Sequence, residues 1–185
     1  ILPNSIDLQS FQTELATGKT IQLSQGPGLH NTKQSFDGKY IFESTSSFGQ
    51  NQTYSLMDTK SKKNTKLITA SEPLDNYNIG ATKLDTLYAN DGTKLFSRTI
   101  FPVDFDPNKK YPAIIYVYGG PHAQMIRNTR LAQAQLWMYT LANEGFIVYT
   151  LDNRGSSNRG IKFENVTHRN LGDLEMDDQM KGYNF

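Results

Sequence analysis

No cysteine occurs among the 185 residues, which excludes disulfides, thiolate metal sites and a cysteine nucleophile. That absence leaves the redox compartment open, because oxidising and reducing compartments both hold cysteine-free proteins. An excess of one charge is missing too. Nineteen Lys and Arg nearly cancel eighteen Asp and Glu, leaving a net charge of +1 and no electrostatic footprint for nucleic acid or an anionic membrane surface. Long apolar runs are absent. The longest, residues 113–117, ends before Tyr118, whereas a membrane-spanning helix needs about 20 apolar residues. No basic-then-apolar leader opens the chain, so a signal peptide is expected to be already removed or never included. What the sequence does hold is aromatic mass for a core, ten Tyr and ten Phe. With 20% charged residues and a mean hydropathy of −0.57, the composition is that of a soluble globular protein. The length allows one ordinary domain or two small ones.

Two halves differ in pattern. Up to about residue 75, short β-type stretches alternate with turn chemistry. Residues 20–23 follow Thr17-Gly18-Lys19, residues 39–43 alternate polar and apolar after Asp37-Gly38, residues 52–57 read as their partner, and 65–68 as the next strand. This predicts an antiparallel meander, which suits a sandwich, a barrel or a propeller blade alike. Residues 83–100 predict a hairpin about Asp91-Gly92, and residues 101–110 a proline-punctuated connector.

Beyond Tyr111 the period changes. Residues 113–118 predict a strand buried on both faces of a parallel sheet. Residues 130–143 carry Leu131, Ala134, Met138 and Leu141 on one stripe and predict a helix ended by Gly145. Residues 146–151 predict a second buried strand, and 171–183 a second helix with acidic residues early, where the helix dipole favours them. Strand, helix, strand, helix is the order of an α/β fold. Two parallel strands make a meagre sheet, so the expectation is a fragment whose remaining strands lie elsewhere. Its open edge leaves pairing with a second copy, a homo-oligomer, available.

Chemistry concentrates at Tyr116-Val-Tyr-Gly-Gly-Pro-His122, at the carboxyl end of the first buried strand, where open α/β sheets place ligands. Tyr118 there could aim its hydroxyl at a developing oxyanion. From spacing alone, packing at a strand end with a Gly119-Gly120 turn is the favoured reading of the same residues. At Asp152-Asn-Arg-Gly-Ser-Ser157, an Asp152–Arg154 ion pair with Gly155 at positive φ predicts a structural loop. Ser156 and Ser157 lack the Gly-x-Ser-x-Gly elbow of a nucleophile. His30, His122 and His168 have no metal-pair spacing. Of the three, His122 lies nearest the candidate site, and His30 and His168 sit in polar surroundings without a role. Asp173, Glu175, Asp177 and Asp178 read as a solvated first turn rather than a cation site, so no metal and no cofactor is expected. Asn51-Gln-Thr53 and Asn165-Val-Thr167 match the glycosylation acceptor pattern, which chance often produces.

Residues 109–121, Asp152-Asn-Arg-Gly-Ser-Ser157 and Leu171-Gly-Asp-Leu-Glu-Met-Asp-Asp-Gln179 together resemble the prolyl oligopeptidase family of serine peptidases, and within it the dipeptidyl peptidase IV branch. Asp91-Gly-Thr-Lys-Leu95 and Phe101-Pro-Val-Asp-Phe-Asp-Pro107 resemble the entry to that family's catalytic domain. Phe36-Asp-Gly-Lys-Tyr-Ile-Phe42 is similar to a propeller blade. The resemblance implies a mixed fold, with residues 1–75 as terminal strands of a β-propeller and 76–185 as the first half of an α/β-hydrolase domain. It implies that Tyr118 is the catalytic oxyanion stabiliser of a serine exopeptidase that cleaves X-Pro and X-Ala dipeptides from peptide amino termini. A peptide is the implied partner, and a periplasmic or secreted location is implied.

The departure from the family is as informative. No Gly-x-Ser-x-Gly elbow and no adjacent pair of glutamates occurs in the 185 residues. By the resemblance, the nucleophilic Ser and its Asp and His lie beyond residue 185, the amino-terminus-binding glutamates lie before residue 1, and the segment alone is inactive. A non-catalytic binding relative, or an acylaminoacyl peptidase or esterase of the same fold, is the alternative.

Overall fold

Asp-Gly turns organise both halves of the protein. The structure is a computed structural model and describes residues 5–184. It divides into two compact units: the chain up to Pro73 together with Arg127–Ala132, and Leu74–Ile126 together with the chain from Gln133 onward.

The first unit opens with a ribbon, β1 (Phe11–Thr13) paired antiparallel to β2 (Thr20–Gln22). A four-stranded antiparallel meander follows: β3 (Leu29–Gln34), β4 (Tyr40–Ser47), β5 (Gln50–Asp58) and β6 (Asn64–Thr69). At the β3–β4 turn the Asp37 carboxylate accepts the Lys39 N–H at 3.1 Å, fixing the register that sets Gln34 opposite Ile41. Side chains alternate across the sheet. Ile41 faces Met57 and Glu43 faces Ser55 on a buried side, while Phe42 stacks on Tyr54 on the other at 5.9 Å between centroids. β1 and β3 escape the sequence reading because Phe-Gln-Thr and Leu-His-Asn-Thr-Lys-Gln carry one apolar residue each. His30 does have polar surroundings, but it is buried: Nδ1 lies 2.9 Å from the Glu43 carboxylate and Nε2 3.2 Å from the Gly26 carbonyl.

The second unit is built on β7 (Thr82–Tyr88), β8 (Lys94–Ile100), β9 (Ala113–Ile115), α1 (Leu136–Asn143), β10 (Ile147–Asp152), α2 (Ile161–Glu164) and α3 (Asp173–Tyr183), with a 3-10 turn at Asn165–Thr167. Its sheet runs β7-β8-β10-β9; β10 is antiparallel to β8 and parallel to β9. Leu87, Ala89, Leu95, Tyr149, Leu151 and Phe163 form its core. β10, flanked by β8 and β9, is buried along its whole length except at Ile147.

Two expectations are corrected here. The run 113–118 is not a strand buried on both faces: β9 is three residues long and sits at the sheet edge, with Ile115 and Val117 partly exposed. A helix does not begin at residue 130 either. Ala132 and Gln133 take φ of 51° and 62°, outside any right-handed helix, and Arg127–Ala132 pack within the first unit. The helix end is as the sequence implies. Gly145 at φ 94° donates its N–H to Ala142 and Phe146 donates to Leu141, the two bonds of a Schellman cap.

Candidate active site

Parallel pairing carries the chain past β9, since the Tyr116 N–H donates to the Tyr149 carbonyl at 2.8 Å and the Tyr116 ring meets Trp137 edge-on. Two residues later Tyr118 is 61% exposed, and its hydroxyl has no hydrogen-bond partner among the described residues. Gly119 then turns the chain at φ 74°. A Cβ on Gly120 would lie 3.3 Å from the Tyr118 ring, so a glycine here lets the backbone fold back beside the phenol.

The end of β10 anchors the loop that follows Tyr118. The Asp152 carboxylate, 3% exposed, accepts the Met125 N–H at 2.7 Å and the Ile126 N–H at 3.0 Å. His122 donates its N–H to the Gly155 carbonyl at 3.1 Å. Arg98 of β8, 1% exposed, donates to the Met125 carbonyl and to the Thr150 hydroxyl, both at 3.0 Å. Burial pushes the Asp152 carboxyl up to about 6, against the pull of the Met125 and Ile126 amides and of the Arg98 and Arg159 guanidiniums.

The predicted Asp152–Arg154 ion pair is corrected by this arrangement. Arg154 instead forks onto Asp178 of α3, with Nε and Nη2 at 2.8–3.1 Å from its oxygens, and reaches Asp91 at 2.9 Å through Nη1. The Arg154 N–H also donates to Asp178. The reading of the α3 acids as a solvated turn is corrected as well. Asp173 and Asp177 are exposed, but Asp178 is fully buried and Glu175 nearly so, with Glu175 accepting the Gly172 N–H at 3.1 Å. Gly155 takes φ 96° as the loop reading implies. Ser156 is buried, and its hydroxyl has no partner among the described residues.

Sequence reasoning missed Arg98, Asp178 and the anchoring role of Asp152. A lone arginine in a strand and an aspartate in a helix carry no local signal of partners 24 to 52 residues away. His122 and His168 both line a cleft of about 210 Å³, as do Pro121, Glu164 and Arg169. The His122 ring stays mostly exposed, 3.9 Å from Glu164. Among the described residues no group of three His, Cys, Asp or Glu is placed to hold a metal, and no helix is long and apolar enough to cross a membrane.

Comparison with known proteins finds relatives of this chain. Residues 132–185 match the prolyl oligopeptidase family. A dipeptidyl aminopeptidase IV homologue of solved structure from Bacteroides ovatus is 40% identical and superposes over 95% of this chain with a TM-score of 0.87. The chain belongs to the prolyl oligopeptidase family. Pig dipeptidyl peptidase 4 is 33% identical over 80% of this chain, and mouse dipeptidyl peptidase 8 is 33% identical over 64%. The chain spans 20% of the length of the pig protein, 13% of the mouse protein and 25% of the Bacteroides protein. Its fold is mixed, with an antiparallel, propeller-blade-like part followed by part of an α/β-hydrolase domain.

Proposed function

We propose that this chain supplies the oxyanion-stabilising tyrosine, Tyr118, of a serine exopeptidase that releases X-Pro and X-Ala dipeptides from peptide amino termini. One observation carries the reading: Tyr118 is exposed just beyond the carboxyl end of β9, and its hydroxyl has no partner among the described residues. A donor held ready for an oxygen that becomes charged only in the transition state lowers the barrier without tightening ground-state binding. In this reading residues 1–75 are propeller strands and 76–185 begin the hydrolase domain. The nucleophile, its base and the glutamates that bind the substrate's amino group come from outside the chain. A periplasmic or secreted location goes with the reading.

The test uses the complete gene product with a chromogenic X-Pro dipeptide amide. Tyr118→Phe is expected to lower kcat by about 10²–10³ with little change in KM, the pattern of a lost oxyanion donor. The 185-residue chain alone is expected to give no turnover. An unchanged kcat in the variant, or robust turnover by the chain alone, refutes the proposal.

A further inference from the structure

The loop between Tyr118 and Ile126 is bonded at several points by residues 152–155. Asn153 Nδ2 approaches the Gly119 carbonyl at 3.5 Å, Gly155 accepts from His122, and Asp152 takes both the Met125 and Ile126 amides. Met125 is gripped on both sides of its residue, its N–H by Asp152 and its carbonyl by Arg98. A structural loop at the surface needs no buried opposite charges at its base, because solvent satisfies its backbone more cheaply than a desolvated carboxylate does. Two buried ionisable groups converging on one residue, Met125, seven positions after an exposed phenol, point to placement rather than mere closure.

We infer that Asp152 and Arg98 are positioning residues for Tyr118: together they clamp the far end of its loop, and protonation of the Asp152 carboxylate loosens the clamp. The ionised carboxylate offers an acceptor to each of two amides, whereas the neutral acid spends one oxygen as a hydroxyl. The groups facing Asp152 are the Met125 and Ile126 amides and, at longer range, Arg98 of β8 and Arg159 after β10. Arg98 itself faces Tyr116 and Tyr139 as well as Thr150 and Met138. Because burial raises the folded-state carboxyl to about 6, the change falls between pH 7 and 5, with the clamp complete at the upper end. The inference rests on the oxyanion reading for its catalytic meaning, but not for its geometry.

Two measurements separate the two. Amide NMR of the 185-residue chain, unaltered in sequence, is expected to show the Met125 and Ile126 signals titrating together near pH 6, with the Tyr118 ring signals moving in step. Asp152→Asn abolishes that titration. Amides that do not titrate overturn the clamp, and a Tyr118 ring that ignores their titration overturns the link to the phenol. In the complete gene product, Asp152→Asn is expected to cost about tenfold or more in kcat, the scale of a displaced catalytic group, with KM within about twofold. An effect confined to KM, or a kcat unchanged by Asp152→Asn, overturns the positioning role. Absence of turnover in the unaltered enzyme would defeat the oxyanion reading alone, since the NMR titration still decides the clamp.

Discussion

Arg154 and Asp178 show what a buried charge costs when its partner is removed. Their side chains are 8% and 1% exposed, and a forked guanidinium–carboxylate geometry satisfies most of the donors involved. Asp178, by hydrogen bond and charge, holds the Arg154 guanidinium above its ordinary range. Asp178→Ala leaves a desolvated guanidinium in the second unit's interior and is expected to cost about 3–5 kcal/mol. Asp91→Ala, at the half-exposed far end of the same arginine, is expected to shift stability far less, because solvent replaces it. Urea midpoints of the two variants check the ranking, and equal losses would contradict it. None of this was legible from Asp152-Asn-Arg154, where the nearest acid in sequence looks like the natural partner. Spacing of two residues puts Asp152 on the strand facing the Met125 loop, and only the fold brings α3 to Arg154.

At the scale of elements, local chemistry was a good guide wherever a turn or cap decides the geometry. Asp37-Gly38 and Asp91-Gly92 make the hairpin turns that their residues imply, and Gly145 ends α1. The start of α1 was illegible because nothing local to residues 130–135 opposes a helix; tertiary packing of Arg127–Ala132 overrides the periodicity. β9 was misread for a similar reason, since an apolar run does not say whether neighbours lie on one edge or two. The cap permits a direct test. Gly145→Ala forces a Cβ into φ 94°, with open space around it, so strain and not crowding sets the cost. About 1 kcal/mol of stability is expected to be lost. Amide exchange of Phe146 and Gly145's replacement should rise before that of β10 does. A variant as stable as the parent would mean that the cap contributes nothing.

Across the whole molecule, the chain enters the first unit twice, once up to Pro73 and again at Arg127–Ala132. The second visit is held by several specific bonds. Asn128 accepts the Phe48 N–H at 2.7 Å, donates its side-chain amide to Asp7 at 2.6 Å and gives its backbone N–H to the Ile6 carbonyl at 2.8 Å. Asp7 is buried and also accepts the Gly28 N–H, while Arg130 pairs with Glu72 and takes the Ser46 hydroxyl as acceptor. Asn128→Ala therefore removes two side-chain bonds and leaves the buried Asp7 carboxylate one donor short, for an expected cost of about 1–3 kcal/mol. Each unit is compact in itself, and stability is a local property wherever such units unfold separately. Hydrogen exchange in Asn128→Ala should thus accelerate at Gly28 and Phe48 and leave Val148 and Tyr149 of β10 protected. Uniform acceleration through both units would show instead that the molecule unfolds as one cooperative block, and that the second passage through the first unit couples the stability of everything downstream of it.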